Sequence, residues 1–361
     1  MNPAGPAAER GASEADRYEA WRRGLRVALG QEWPRLGRLR RKLRRLDTLP
    51  IPSAPTGAAP PVVAAVAADG GESRIVLDPL RIYVLRVADS DGTIYFEECI
   101  PHSLDAPDVI RFFFRSNERV QRLVQFLGIG WEDLQPRDAA RAEHLLPMLR
   151  ELLEWAALLR LACGRTPRLI LRDGLLRSVL LPAPVFRAVQ RALEAAVAKN
   201  GHWLAGVAKR SAALRYLATA FALEESFAGG EPRYARVPPE IEREAAPGPY
   251  RWAGERAMGE LYAARLEAGA PILPVDVAAV CAGAAPDLLR RLADSARSSF
   301  PLRGYPAELL AAHERACLSG IEAETLQAIF LDELEELDEA AARAARAAVI
   351  EGHETVETVN P

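Results

Sequence analysis

Residues 61–70, PVVAAVAADG, and residues 168–174, RLILRDG, carry the reading of the fold. Each is an apolar run closing on an aspartate that is followed by glycine. A continuous apolar run of this length suits a strand buried on both faces, as in the parallel part of a sheet. The glycine lets the chain turn sharply and leaves room beside the carboxylate. In open α/β sheets, sites form at the carboxyl ends of the strands. If these two strands lie side by side, Asp69 and Asp173 converge, and hard cations prefer oxygen ligands of that kind. A single Asp-Gly is weak evidence, because the dipeptide is also a common turn. Two of them, each closing an apolar strand, are a stronger signal.

Working outward, strand-like runs follow at Arg74–Val87 and Thr93–Ile100, the second entered through Asp91-Gly92, a hairpin signal. With 61–69 they predict an antiparallel meander. Helical patterns cover 107–127 and 137–161, then the strand 168–172, a helix at 184–199, a strand at 202–209 (HWLAGVAK) and a helix at 211–223. The stretch 230–275 is mixed, with one strand candidate at 261–266; helices follow at 285–298, 306–318 and 321–350. The order predicts an α/β fold with a mixed sheet flanked by helices. Three antiparallel strands, a crossover helix and a parallel strand are the order of an RNase H-like fold. Residues 1–14 read as a disordered tail, 15–60 as a basic helical region (Pro34 kinking or splitting the helix 15–47) with a Pro-rich linker, 61–320 as the globular domain, and 321–361 as an acidic helix and tail.

Composition is that of a globular protein, with 49% apolar and 26% charged residues and a net charge of −3. No apolar run is long enough for a membrane helix, and the N-terminus has no apolar h-region, so the expectation is a cytoplasmic protein without a membrane partner. Cys99, Cys163, Cys281 and Cys317 show no paired spacing, which argues against a zinc site or a disulfide framework. Charge is unevenly spread. Seven basic residues and no acid lie between Arg35 and Arg45, while Asp332, Glu333, Glu335, Glu336, Asp338 and Glu339 crowd one late helix. Such asymmetry fits one face for a polyanion and another for a different partner; two solvated faces, or these helices pairing together, fit equally well.

Further candidates lie around the two aspartates. Glu154, in ELLEWAALLRL, sits at the edge of an apolar helix face, and Glu151 one turn earlier is its rival. Lys209 and Arg210 end a strand beside Ser211 at a helix start, a setting for a phosphate or for an ordinary capped helix. His313, in GYPAELLAAHERA with Tyr305 upstream, reads as a general base, a metal ligand or a partly buried structural histidine. No P-loop, GxGxxG or GxSxG is present.

The series VAAVAADGG, LILRDGLL, LAGVAKRS and GYPAELLAAH resembles NurA domains, in the same order and at similar separations, over roughly residues 60–320. The motifs are short; their specificity lies in the combination. The resemblance implies a Mn²⁺-dependent (or Mg²⁺-dependent) nuclease with an RNase H-like core, a 5′-to-3′ exonuclease and single-strand endonuclease. It also implies a homodimer working with the hexameric translocase HerA on DNA ends. By position it places the metal-binding carboxylates on Asp69, Glu154 and Asp173, which selects Glu154 over Glu151, a lysine on Lys209, and the C-terminal Tyr and His on Tyr305 and His313. Two ions held by the three carboxylates, with His313 assisting and Lys209, Arg210 and Tyr305 on the substrate, are the expected site. Gly71 and Leu175 depart from the small hydroxyl residue and the Ser usual after each Asp-Gly. The alternatives are a degenerate RNase H-like module that only docks on a translocase, and an RNase H-like nuclease of another family.

Overall fold

The computed structural model describes residues 14–57, 64–77, 80–102, 115–134, 145–178, 180–209, 212–224, 226–227, 229–245 and 256–350. In chain order the strands are β1 (Leu49–Pro50), β2 (Ala64–Leu77), β3 (Leu80–Asp89), β4 (Ile94–His102), β5 (Arg168–Asp173), β6 (Trp203–Val207), β7 (Arg233–Arg236), β8 (Gly259–Arg265) and β9 (Leu273–Ala278). The helices are α1 (Glu14–Leu43), α2 (Glu118–Leu127), α3 (Leu145–Ala162), α4 (Ala183–Asn200), α5 (Ala212–Leu223), α6 (Pro239–Ala245), α7 (Ala285–Ala296), α8 (Ala307–Ala316), α9 (Gly320–Leu337) and α10 (Glu339–Ile350). The strands form one sheet in the order β1-β7-β8-β9-β6-β5-β2-β3-β4. β2, β3 and β4 are an antiparallel meander, β5 joins β2 in parallel, and β6 joins β5 in parallel. This is the mixed, RNase H-like sheet that the sequence predicts.

Apolar burial explains the central strands. Leu169, Ile170 and Leu171 of β5 and Val66, Ala67 and Ala68 of β2 are fully buried, because helices cover both faces there. Built Cβ positions identify those helices. From Gly70 a Cβ points at Arg150 and Glu154 of α3; from Gly71, the next residue, it points at Ala316 of α8. Successive strand residues face opposite sides, so α3 and α8 sandwich β2.

Several elements differ from the sequence expectation. Asp69 does not close its strand. Pairing with β5 stops at Ala68↔Arg172, but β3 continues as partner from Asp69↔Ala88 to Leu77↔Leu80. Gly70-Gly71 is therefore extended chain, and the expected strand 74–87 is divided between β2 and β3. Strands β7 and β9 occupy the stretch read as mixed. The helix at 15–47 is neither split nor ended by Pro34: α1 runs through it. The residues before Pro34 are exposed, so the carbonyl that loses its partner faces water. The expected helix 321–350 is two helices, because the Asp338 carboxylate accepts from the Ala340 and Ala341 N–H groups and starts α10 anew. The first parts of the helices expected at 107–127 and 137–161 lie outside the described residues, as do the tail through residue 13 and the segment 351–361.

Leu36, Leu39 and Leu43 of α1 are buried with Leu217 and Phe221 of α5, Ile241 of α6 and Leu261 of β8 in a second core. The basic run is engaged within the chain. Arg40 and Arg44 pair with Glu224, Arg38 and Lys42 pair with Glu244, and Arg35 donates to the Glu244 and Ala245 carbonyls. Those five residues serve packing of α1, where the sequence left a polyanion face open.

Candidate active site

The last register pair between β2 and β5, Ala68↔Arg172, sets the next residues, Asp69 and Asp173, side by side. Beyond it the strands part. Gly174, at φ 118°, turns the chain away, which a residue with a side chain does poorly. The turn then lies over β6, where a Cβ on Gly206 would come within 2.4 Å of the Gly174 carbonyl oxygen.

α8 brings the third group from the far end of the chain. A Cβ on Gly71 would stand 2.0 Å from the Ala316 carbonyl oxygen, so only glycine lets α8 approach β2 this closely. Gly71 thus has a packing reason of its own. His313 Nδ1 lies 2.8 Å from Asp69 Oδ2 and 4.0 Å from Asp173 Oδ2. One donor atom each from Asp69, Asp173 and His313 fall within 4.8 Å of one another.

The electrostatics show crowding. Burial, then the charge of Asp69, push the Asp173 carboxyl up, against the lowering effects of Lys209 and Tyr305. Lys209 Nζ is 3.2 Å from Asp173 Oδ2, and the Tyr305 hydroxyl donates to Asp173 Oδ1 at 2.7 Å. Tyr305 is buried, lies 5.3 Å beneath the Lys209 ammonium, and is held well above its ordinary pKa by burial and by Asp173. The hydrogen bond to Asp69 is the first cause that raises His313 to about 10.

Glu154 is buried on α3, outside that three-residue group. Its Oε1 lies 2.8 Å from Arg172 Nε, and neither atom makes a hydrogen bond among the described residues. Burial is the first cause that pushes its carboxyl up to about 8; Arg172 opposes this and Asp69 reinforces it. Glu151, the rival one turn earlier, is engaged: Ser178 donates to it at 3.0 Å and Trp155 at 3.3 Å. Arg210 lies outside the described residues. Sequence reasoning missed Arg172 and Arg150. Arg150 donates to the Gly70 carbonyl at 2.9 Å, beside Asp69. The available signal for Arg172 was a charge inside a strand read as buried.

Two carboxylates and an imidazole at this spacing are a donor set for a hard or borderline divalent cation such as Mn²⁺. Glu154, buried on α3 with its carboxylate raised in part by Asp69 and ion-paired with Arg172, supplies a further carboxylate for the same group. Among the described residues, no helix is long and apolar enough to cross a membrane.

The NurA domain family model matches residues 64–317. Among solved structures, the chain is similar to the NurA nuclease from Sulfolobus solfataricus, at 15% identity and TM-score 0.44, covering 86% of this chain and 95% of that one. A second NurA structure is matched at 14% identity and TM-score 0.48, covering 90% and 99%. NurA bound to dAMP and manganese is matched at 13% identity and TM-score 0.44, covering 86% and 94%. No curated protein matches the chain. The family model covers most of the sequence, from the strand that carries Asp69 to the end of the helix that carries His313: the chain belongs to the NurA domain family.

Proposed function

We propose that this protein is a metal-dependent DNA nuclease, a 5′-to-3′ exonuclease and single-strand endonuclease using Mn²⁺ or Mg²⁺, with two ions in the site. The observation that carries the reading is the convergence of Asp69, Asp173 and His313 at the ends of two parallel strands, within a NurA domain. Support for the metal comes from the donor set and from the manganese and dAMP in a NurA relative.

In this reading Asp69 and Asp173 hold the cation, and Glu154 completes the shell from α3. Divalent cations held there would neutralise the phosphodiester charge and lower the pKa of a bound water, so that hydroxide is available to attack phosphorus. Lys209 turns from Asp173 to the scissile phosphate, and Arg210, next in sequence, adds a second positive charge. Tyr305 fixes the Asp173 carboxylate through its hydroxyl and, on the substrate side, borders the phosphate. His313 carries a proton at the Asp69 edge of the site and moves it to the departing oxygen. Residues 61–320 form the nuclease domain, and the terminal helical regions expected at 15–47 and 321–350 build a homodimer or a dock for a HerA-type hexameric ATPase. The setting is cytoplasmic processing of DNA ends.

The test is cleavage of end-labelled single-stranded DNA with Mn²⁺, Mg²⁺ or EDTA, alone and with a HerA-type translocase. Cleavage that needs Mn²⁺ and falls below detection in Asp69→Ala is expected. Normal cleavage by Asp69→Ala overturns the mechanism, and failure of the wild type under every condition overturns the activity.

A further inference from the structure

One buried cation has no part in that scheme. Arg172 stands directly before Asp173 on β5 and is 8% exposed. Its guanidinium lies 4.4 Å from the Trp155 ring centre. Nε lies 2.8 Å from Glu154 Oε1 as an ion pair without hydrogen-bond alignment, and Nη2 donates to Glu151 Oε1 at 3.5 Å. Nη1 donates to the carbonyl of Leu175 and, at 3.3 Å, to that of Arg177. Arg172 therefore joins its own strand, the carboxylates of α3 and the turn that follows Asp173. A planar fork that is always charged suits this, since it can serve several directions at once. The two carboxylates it meets are not equivalent. Glu151 has Ser178 and Trp155 as further partners, whereas Glu154 Oε1 has no hydrogen bond among the described residues.

We propose that Arg172 is a positioning residue of the metal site. It aims the Glu154 carboxylate from α3 toward the Asp69–Asp173 pair and couples that aim to the turn that sets Asp173. Without it, a free glutamate side chain must give up its rotamer freedom to reach the ion. The inference rests on the metal-site reading above. Outer partners of ligating groups are worth about 10- to 100-fold in metal affinity.

The test is Mn²⁺ binding by calorimetry on the full chain, without nucleic acid. Wild type, Arg172→Lys, Glu154→Gln and the double variant are compared, with thermal melts to confirm folding. Lysine keeps the buried charge and loses the fork. Arg172→Lys is expected to weaken Mn²⁺ binding about tenfold on its own and to change nothing further in the Glu154→Gln background, because it acts through Glu154. An equal loss in both backgrounds, or no loss in either, overturns the proposal. Should lysine not be accommodated, Trp155→Phe, which shrinks the ring supporting the guanidinium, carries the same comparison. If wild type binds no Mn²⁺, or Asp69→Ala binds it as wild type does, the metal-site reading fails and takes this inference with it.

Discussion

Two clusters of buried charge lie on the same sheet and are built on opposite plans. In one, Arg177 reaches Asp276 on β9 through Nη2 at 2.6 Å and through Nε, and meets Glu242 of α6 through Nη1. Asp276 is fully buried, and both of its carboxylate oxygens are engaged by the fork. In the other, Asp69 and Asp173 crowd together, with Lys209 and His313 at the rim and Glu154 short of a hydrogen bond. The first cluster is saturated and ties α6 to the sheet. The second keeps like charges together, its aspartate oxygens held by the Gly70 N–H, His313, Tyr305 and Lys209, and Glu154 beside Arg172. Structural charge is neutralised by a single buried fork; the candidate active site concentrates carboxylates that raise one another, at a cost in stability.

The sharpest way to break the comparison is to remove one member from each cluster. Arg177→Met strands two buried carboxylates and is expected to cost about 3–5 kcal/mol in urea unfolding. Asp69→Ala relieves repulsion and is expected to leave the metal-free melting temperature unchanged or higher while abolishing cleavage. Equal destabilisation by the two variants erases the distinction.

A smaller effect separates them by pH. Glu154 is raised from its ordinary 4.5 to about 8, so the folded chain holds its proton where the unfolded chain has released it. The stability this contributes is complete below 4.5 and is lost as pH rises towards 8. In EDTA, wild type is expected to lose stability, on the order of a few kcal/mol, across that window. Glu154→Gln should show a flatter profile in the same denaturant titrations; parallel profiles would mean that the carboxyl does not titrate with folding. The smallest effect belongs to Tyr305→Phe, which removes one hydrogen bond to Asp173. About 1 kcal/mol of stability should go with it. Cleavage rate should fall more than that loss accounts for if the bond fixes Asp173, and in proportion to it if the tyrosine only packs.

The sequence made one half of this contrast legible. Apolar runs ending in Asp-Gly identified β2 and β5, and their parallel pairing follows from burial on both faces. The same pattern misplaced Asp69 at a strand end, because nothing local says that β3 keeps pairing past it. The saturated cluster was invisible. β9, LPVDVA, carries a proline and an aspartate that weaken a strand signal, and the arginine that neutralises Asp276 comes from 99 residues away. His313, with Tyr305 upstream, stood out on its half-apolar helix, and only the resemblance favoured a role at the site over ordinary packing. The basic run ending α1 stayed open to several readings for a related reason: Glu224 and Glu244, its partners, are distant in the chain.

The contact between His313 and Asp69 closes a loop of 244 residues. A ribosome makes the chain from its N-terminus, so Asp69 exists long before its histidine partner does. Contacts this far apart carry the largest loop-closure entropy and belong to the late stages of folding. A chain cut or stalled before α8 lacks the third member of the cluster. Assembly of the site therefore reports that synthesis has passed residue 313.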